Sequence, residues 1–258
     1  MDKKAVTAAS AVNWGGIQFR PMRVESAVTA LLSDALSPHS HDFHLCNSWT
    51  VALAQRDQEL AKVLRSGHGI NLVDGVPLAR VLSVAPYMQY ATTRGPDLFL
   101  AGTRAASAAG LTQTFYGATD TALAQLRKRF MNEGWDVSKM HFLSPPFQPL
   151  SVANMSEGVK NIMAHEPQIV WVGLGTPKQD IFADFLTSNS EVTSVAVGAA
   201  FDFAAGTVAE APAWVRGSGF EWLYRFSREP KRLWRRYTLG NITFIRLALQ
   251  HRPRTASF

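Results

Sequence analysis

Residues 168–206 carry the pattern that most constrains the fold of this chain: two short apolar runs joined by a glycine-rich turn and a helical segment. The run at residues 169–172 predicts a buried strand, and Gly173 and Gly175 end it before the helix. The run at residues 192–197 predicts a second strand, parallel to the first. Such a βαβ unit binds its ligands beyond the carboxyl ends of its strands.

Polar side chains follow both of these predicted strands. Thr176, Lys178 and Gln179 come soon after the first strand, and Asp202 follows the second. Main-chain N–H groups at the start of a helix can hold a phosphate, and Lys178 can add a positive charge. We therefore expect the chemistry along this edge of the sheet, with the two turn glycines among the substrate-binding positions.

Asp74 and Gly117 stand at the ends of two further predicted strands, and we expect Gly117, a strand-end glycine above the ligand crevice, among the substrate-binding positions. Position alone favours Asp74 as the cap of the helix near Pro77, and a carboxylate that faces the ligand crevice is the alternative. A turn-rich loop with Arg94 and Asp97 precedes another helix. Because strands and helices alternate along most of the chain, we predict an α/β fold with a Rossmann-like, mainly parallel sheet and flanking helices.

Three local predictions concern the first quarter of the chain. Residues 1–14 are polar and alanine-rich without a clear period, which indicates a loose N-terminal segment. Residues 17–24 form a short run with Pro21, which is typical of an edge strand. Residues 50–64 have apolar side chains at helical spacing and predict one amphipathic helix.

The positive charge of the chain is concentrated near its C-terminus. Residues 213–258 hold nine arginines and one lysine against two glutamates, a formal +8 that leaves −2 elsewhere in a chain of net charge +6. Aromatic residues alternate with these arginines at helical spacing, so we predict basic amphipathic helices broken at Pro230. We therefore divide the chain into a core, residues 1–210, and a helical appendage, residues 211–258. We expect this appendage to lie on an anionic membrane surface. The alternative is that its basic face is simply exposed to solvent while its apolar face packs on the core.

Cysteine usage and hydropathy bear on the compartment. The single cysteine, Cys46, excludes an internal disulfide framework and fits a reducing compartment. No apolar run approaches the ~20 residues of a spanning helix, and no signal-peptide pattern is visible. We expect a cytoplasmic protein, peripheral on the membrane. His39, His41 and His44 lack supporting ligands nearby in the sequence, so we expect no metal site.

Several motifs occur in an order that is specific in combination. They are Asn71-Leu-Val-Asp-Gly-Val-Pro77, Val172-Gly-Leu-Gly-Thr-Pro-Lys-Gln-Asp180, Val197-Gly-Ala-Ala-Phe-Asp-Phe-Ala-Ala-Gly206 and Arg228-Glu-Pro-Lys-Arg-Leu-Trp-Arg-Arg-Tyr237. This order resembles the WecG/TagA/CpsF glycosyltransferases (glycosyltransferase family 26) over residues 42–247. Within that family, three stretches look most like the GumM-like exopolysaccharide glucosyltransferases: Phe43-His-Leu-Cys-Asn47, Arg94-Gly-Pro-Asp-Leu-Phe99 and Ser144-Pro-Pro-Phe147.

The resemblance implies inverting transfer of a sugar from a UDP-sugar to a polyprenyl-diphosphate-linked glycan, without a metal or other cofactor. The GumM-like stretches make UDP-glucose the first choice of donor, with UDP-N-acetylmannosamine or its uronate as the second. It implies that Asp74 is the general base, which we now prefer to the cap. Asn47 matches the asparagine of the family's Thr-x-Asn motif, with Leu45 in the threonine position. Arg94, Asp97, Gln179 and Asp202 match substrate-binding positions. Arg225, Arg232 and Arg235 match tail arginines that close over the site and stabilise the leaving diphosphate.

Two other function classes fit parts of the chain. A non-catalytic nucleotide- or nucleic-acid-binding protein would account for the basic, aromatic tail, but no nucleic-acid motif is present, so we expect no nucleic-acid partner. In an NAD(P)-dependent oxidoreductase, the turn after the first strand would be Gly-x-Gly-x-x-Gly, and Lys178 occupies the third glycine position. The oligomeric state is left open, with a homo-oligomer as one option.

Overall fold

A computed structural model of the chain describes residues 11–83, 91–209, 211–212, 215, 221–228 and 230–255. Its strands are β1 (Val12–Trp14), β2 (Ile17–Arg20), β3 (Asp42–Cys46), β4 (Ile70–Val73), β5 (Gln113–Gly117), β6 (Met140–Leu143), β7 (Ile169–Gly173), β8 (Thr193–Ala196) and β9 (Arg254–Thr255). They form one nine-stranded sheet in the order β6-β5-β7-β8-β3-β4-β2-β1-β9. Neighbours from β6 to β2 are parallel, whereas β1 is antiparallel to both β2 and β9.

Helices cover both faces of this sheet. They are α1 (Val24–Ala35), α2 (Ser48–Leu53), α3 (Gln58–Arg65), α4 (Val76–Leu82), α5 (Gly95–Ala108), α6 (Asp120–Asn132), α7 (Val152–Met163), α8 (Lys178–Ser190), α9 (Ala200–Ala205), α10 (Glu221–Arg228) and α11 (Pro230–Gln250). Helices α1, α5, α6 and α9 pack over one face, and α2, α3, α4, α7, α8 and α11 supply the opposite face. The predicted α/β class, with a Rossmann-like and mainly parallel sheet, is confirmed.

Burial on both faces explains why the central strands are apolar along their whole length. In β7, Ile169 and Trp171 enter the core under α1 and α5, and Val170 and Val172 enter the core under α7 and α8. Each such side chain, once buried, contributes about 1.5–3 kcal/mol. The indole N–H of Trp171 donates to the side-chain oxygen of Gln113 at 2.9 Å, so its one polar group is satisfied.

The C-terminal helix α11 packs against α2. Phe244 lies edge-on to Trp14 with ring centroids 5.6 Å apart, and Gly240 leaves room for the ring of Trp49. The indole N–H of Trp14 donates to the carbonyl of His251 at 3.1 Å, and β9 then adds to the sheet beside β1. No helix in the described part of the chain is both long enough and apolar enough to cross a bilayer.

The local predictions for the first quarter of the chain need correction. The run with Pro21 is not an edge strand, because β2 pairs with β4 on one side and with β1 on the other, and the proline follows its last residue. The segment expected to be loose contains β1, although residues 1–10 lie outside the described part. The single helix expected at residues 50–64 is two helices, because Asp57 caps α3 by accepting from the N–H of Leu60 at 3.0 Å.

A glycine contact joins β5 to β7 where both strands end. A Cβ on Gly117 would lie 2.5 Å from the carbonyl oxygen of Gly173, and the φ of Gly117 is +131°. We expect Gly117→Ala to lower the free energy of unfolding by at least about 3 kcal/mol, because neither main chain can yield, as urea denaturation would show.

Gly134→Ala is the matched control for this prediction. Gly134 has a φ of +76° and no atom within 4 Å of the added Cβ, so only the left-handed backbone is penalised, by about 1–2 kcal/mol. Equal losses of stability in the two variants would contradict the steric argument.

Candidate active site

The carboxyl ends of the parallel strands form one edge of the sheet, and the predicted site residues with described side chains lie along it. Asn47 follows β3, Asp74 follows β4, Gly117 ends β5 and Gly173 ends β7. Thr176, Lys178 and Gln179 lie between β7 and the first turn of α8, and Asp202 lies in α9 after β8. The edge therefore divides into a part around β3 and β4 and a part around β7 and β8.

Asn47 and Asp74 meet side by side at the ends of β3 and β4. The amide Nδ2 of Asn47 donates to Oδ2 of Asp74 at 3.4 Å. The Oδ1 of Asn47 accepts from the N–H groups of Trp49 and Thr50 at 3.0 and 3.2 Å and so caps α2. Because the cap fixes which way the amide points, Asn47 presents a donor to the half-buried carboxylate of Asp74. The N-cap position of α4 belongs to Gly75.

The loop before α5 runs beside the same strand end. The N–H of Thr93 donates to the carbonyl of Val73 at 2.7 Å, which brings Arg94 next to Asp74 along the edge. Arg94 forms an ion pair with Asp97 at 2.9 Å in the first turn of α5. Leu45, which the resemblance aligned with a threonine, is buried and packs against Gly95, so it belongs to the core.

Gln179 organises the turn between β7 and α8. Its side chain is buried, its Oε1 accepts from the N–H of Gly175 at 3.0 Å, and its Nε2 donates to the hydroxyl of Thr176 at 3.5 Å. A Cβ on Gly173 would lie 2.7 Å from the ring of Phe201, so α9 presses against the same turn. These contacts give the turn one defined shape. They also give Gly173 and Gln179, which the sequence predicted for substrate binding, a structural role in the turn.

A cleft of about 460 Å³ opens beside this turn, between the β5–α6 loop, the β6–α7 loop and α8. Its lining includes Tyr116, Thr119, Phe147, Asn154, Gly173 and Lys178. The Nζ of Lys178 donates to the carbonyl of Gln148 at 3.0 Å and lies 5.0 Å from the ring centre of the fully exposed Phe147. The cleft therefore combines an aromatic wall with a cation, a pairing that suits a planar, negatively charged ligand.

Asp202 and the tail arginines complete the set of predicted residues. The hydroxyl of Thr207 donates to Oδ1 of Asp202 at 3.4 Å, which ties the first turn of α9 to the segment after it. Arg225, Arg232 and Arg235 fall on α10 and α11, but their side chains lie outside the described residues.

A buried ion cluster that was not predicted from the sequence lies beneath the edge. In it, Nε2 of His44 lies 2.5 Å from Oδ2 of Asp42, and Nδ1 lies 3.2 Å from Oδ1 of Asp180. His41 instead pairs with Asp34, so the alternating histidines separate. Among the described residues, no group of three or more acidic, histidine or cysteine side chains has a metal-binding arrangement. The sequence signal was a charged pair inside an otherwise apolar strand, Asp42-Phe-His44.

Opposing effects set the charge of His44. Burial by itself disfavours the imidazolium, but the Asp42 carboxylate and the hydrogen bonds with Asp180 and Asp42 outweigh it and raise the pKa of His44 to about 10. Burial also raises the pKa of Asp42, but the charge and the hydrogen bond of His44 hold that pKa below its ordinary value. Both groups are therefore ionised at neutral pH.

Replacing His44 by glutamine should change how stability depends on pH. Unfolded, His44 loses its proton near pH 6.5, whereas folded it keeps it up to about pH 10, so its contribution is complete below pH 6.5 and is lost as the pH rises toward 10. The difference in unfolding free energy between wild type and His44→Gln should narrow over that range by at least about 1 kcal/mol, since a pKa difference of one unit corresponds to roughly that free energy. Denaturant titrations of both proteins at pH 6.5 and pH 10 measure this narrowing.

The exposed His68 provides the control. The variant His68→Gln removes a histidine outside the cluster, so it measures the effect of losing a histidine side chain as such. A gap between wild type and His44→Gln that stayed constant across the range would contradict the assignment of charge to His44.

The match to known families agrees with this geometry. The chain matches the model of the glycosyl transferase WecG/TagA/CpsF family over residues 12–257. The match runs from β1 through β9, and it includes every residue described above at the carboxyl edge of the sheet. Because the matched region is nearly the whole chain, this protein belongs to the WecG/TagA/CpsF family of glycosyltransferases.

Proposed function

We propose that this protein is an inverting, metal-independent hexosyltransferase that moves glucose from UDP-glucose to a polyprenyl-diphosphate-linked saccharide. The reaction belongs to exopolysaccharide or cell-surface glycan synthesis at the inner face of the cytoplasmic membrane. The observation that carries the proposal is the Asn47–Asp74 pair at the carboxyl edge of the sheet. Family membership supports sugar transfer, and the GumM-like stretches support glucose as the sugar.

Asp74 acts as the general base. Its carboxylate takes the proton of the acceptor hydroxyl while that oxygen attacks the anomeric carbon and the bond from that carbon to the diphosphate breaks. The donation from Nδ2 of Asn47 to Oδ2 orients the carboxylate, and the cap of α2 orients Asn47. One displacement of this kind inverts the configuration at the anomeric carbon.

The cleft beside Lys178 supports the placement of the donor. It lies over β5 and β7, and the sheet order puts β7 three strand spacings from β4, or about 14 Å at ~4.8 Å each. A donor with its nucleoside in the cleft can extend its diphosphate past the turn at Gly173 and Gly175 and present its sugar near Asp74. Lys178 and the N-terminus of α8 face that diphosphate.

The leaving diphosphate needs positive charge, because negative charge develops on it as the bond breaks. In the proposed reaction this charge comes from Arg225, Arg232 and Arg235. These arginines take the place of the divalent metal that other nucleotide-sugar enzymes use. The net charge of +8 on residues 213–258 supports this role. In the proposed cycle, docking at the membrane folds the tail over Asp74 and completes the site.

Substitution of Asp74 by asparagine tests the chemistry. Asp74→Asn keeps the shape of the side chain but removes the proton acceptor, so acceptor-dependent release of UDP should fall by about 10²–10⁴-fold. The assay uses a panel of UDP-sugars with a polyprenyl-diphosphate saccharide. Asp136→Asn is the control, because this exposed carboxylate lies just before β6, near the amino ends of the parallel strands and away from the site.

Each result of that assay has a definite meaning. Release that persists in Asp74→Asn would assign the base to another residue. If folded wild-type protein released no UDP from any donor with a verified acceptor, the non-catalytic nucleotide-binding reading would replace the proposal.

An exposed apolar stripe on α11 supports the membrane surface as a partner. Ile242, Ile245 and Leu249 are 59%, 57% and 84% exposed and follow one another at helical spacing. The opposite side of the helix packs on the core through Phe244 and Leu247. Apolar side chains at the interface, in a segment rich in arginine, match an anionic lipid surface.

Charge reversal on this stripe tests the membrane contact. The double variant Ile245→Asp/Leu249→Asp should bind anionic vesicles at least about tenfold more weakly in a sedimentation assay, because carboxylates are repelled by the lipid head groups. Leu36→Asp is the control, since Leu36 is 67% exposed after α1, on the other face of the sheet. Equal binding by wild type and the double variant would exclude α11 as the membrane-facing element.

A further inference from the structure

The buried ion cluster joins two elements that are far apart in the sequence. Asp42 and His44 lie on β3, and Asp180 lies in the first turn of α8, 136 positions after His44. All three residues are at most 2% exposed. The cluster is therefore a fixed link between a central strand and the N-terminal end of a helix on the sheet.

The position of this link along both elements connects it to the active-site edge. His44 lies three residues before Asn47, which touches the proposed base Asp74. Asp180 directly follows Gln179, whose side chain holds the turn at Gly175. The cluster thus lies beneath the boundary between the two parts of the edge.

Stability alone does not account for such a cluster. Burying charges costs several kcal/mol per ion before pairing, and replacing a buried ion pair by apolar side chains is often neutral or stabilising. In addition, Oδ2 of Asp180 has no hydrogen-bond partner among the described residues. What the ion pairs provide and apolar contacts lack is one defined geometry.

The packing around the cluster leaves little freedom for another arrangement. A Cβ on Gly69, just before β4, would lie 2.8 Å from Oδ2 of Asp42 and 2.9 Å from Nε2 of His44. The main chain at Gly69 therefore lies directly over the Asp42–His44 pair. His44 can donate from both ring nitrogens only when it is protonated, and its raised pKa of about 10 keeps that form at neutral pH.

We propose that the Asp42–His44–Asp180 cluster is a positioning device that locks the first turn of α8 to β3. It thereby sets Gln179 and the turn at Gly175 at a fixed place relative to Asn47 and Asp74. The three residues touch neither substrate and act through the residues beside them. The inference rests on the proposed function, because that function makes the β7–α8 turn the donor side and the Asn47–Asp74 pair the base side.

Asp180 is the residue to change, because Asp180→Ala leaves the pair of Asp42 and His44 intact. Asp180→Asn keeps an oxygen that can accept from Nδ1 of His44, so it should rescue the alanine variant. Thr187→Val is the matched control. The Thr187 hydroxyl contacts Ser194 at 2.8 Å and also joins α8 to the sheet, but at the end of the helix away from the site.

The first measurement is hydrogen exchange of the main-chain amides in the first turn of α8. The N–H groups of Gln179, Asp180 and Ile181 donate to carbonyls of Gly175 and Pro177 at 3.0–3.1 Å. In Asp180→Ala these amides should exchange at least about tenfold faster, since local opening becomes easier. In Asp180→Asn and Thr187→Val they should exchange as in wild type.

The second measurement is the kinetics of sugar transfer at a temperature where every variant is folded. Asp180→Ala should lose about tenfold to a hundredfold in kcat/KM for the donor, since a displacement of about 1 Å near the reacting groups has effects of this size. The KM for the acceptor should not change. Asp180→Asn should stay within about threefold of wild type, and Thr187→Val should lower only the stability.

Two results would overturn the inference. Unchanged amide exchange in Asp180→Ala would show that the cluster does not hold the turn. Faster exchange with unchanged donor kinetics would show that the held geometry does not matter for transfer. If the wild type itself transferred no sugar, the proposed function would fail, and the exchange data would still decide whether the cluster positions α8.

Discussion

The rest of this structure depends on the parallel pairing of β3 with β4. In the register of these strands Cys46 lies opposite Val73, and the N–H of Asp74 extends the pairing by donating to the carbonyl of Cys46 at 2.7 Å. The next residue on each strand is therefore a member of the Asn47–Asp74 pair. A shift of one residue would turn each side chain to the other face of the sheet, so the register that buries the core also places the site.

The second constraint is burial on both faces of the sheet. It leaves the strand ends as the place where polar groups can meet water and ligands, and it makes any charge inside expensive. Asp74 is half-buried at the edge, whereas Asp42, His44 and Asp180 are fully buried and compensate one another. The half-buried carboxylate thus lies at a strand end, whereas the fully buried carboxylates lie inside, one on β3 and one on α8.

Local pattern accounts for the residues that the sequence predicted well. Apolar runs that end in glycine or in a polar residue located β4, β7 and β8 and the positions of Asp74 and Gly173, because period and turn chemistry act within a few residues. Long-range strand pairing explains the local predictions that were wrong. The run with Pro21 became an interior strand because β1 pairs with it, and β9 joins the sheet only because α11 returns the chain to β1.

By itself the sequence determined the fold class, the family motifs, the acidic and amide residues at the strand ends and the basic character of the last 46 residues, counted as 213–258. Only the tertiary structure decided that Asn47 caps α2 while it donates to Asp74, that Lys178 faces a cleft with Phe147, and that His44 is held between Asp42 and Asp180. The physical reason is distance along the chain. A hydrogen bond between residues 136 positions apart leaves no trace in local periodicity, and it forms only when the packed sheet brings its partners together.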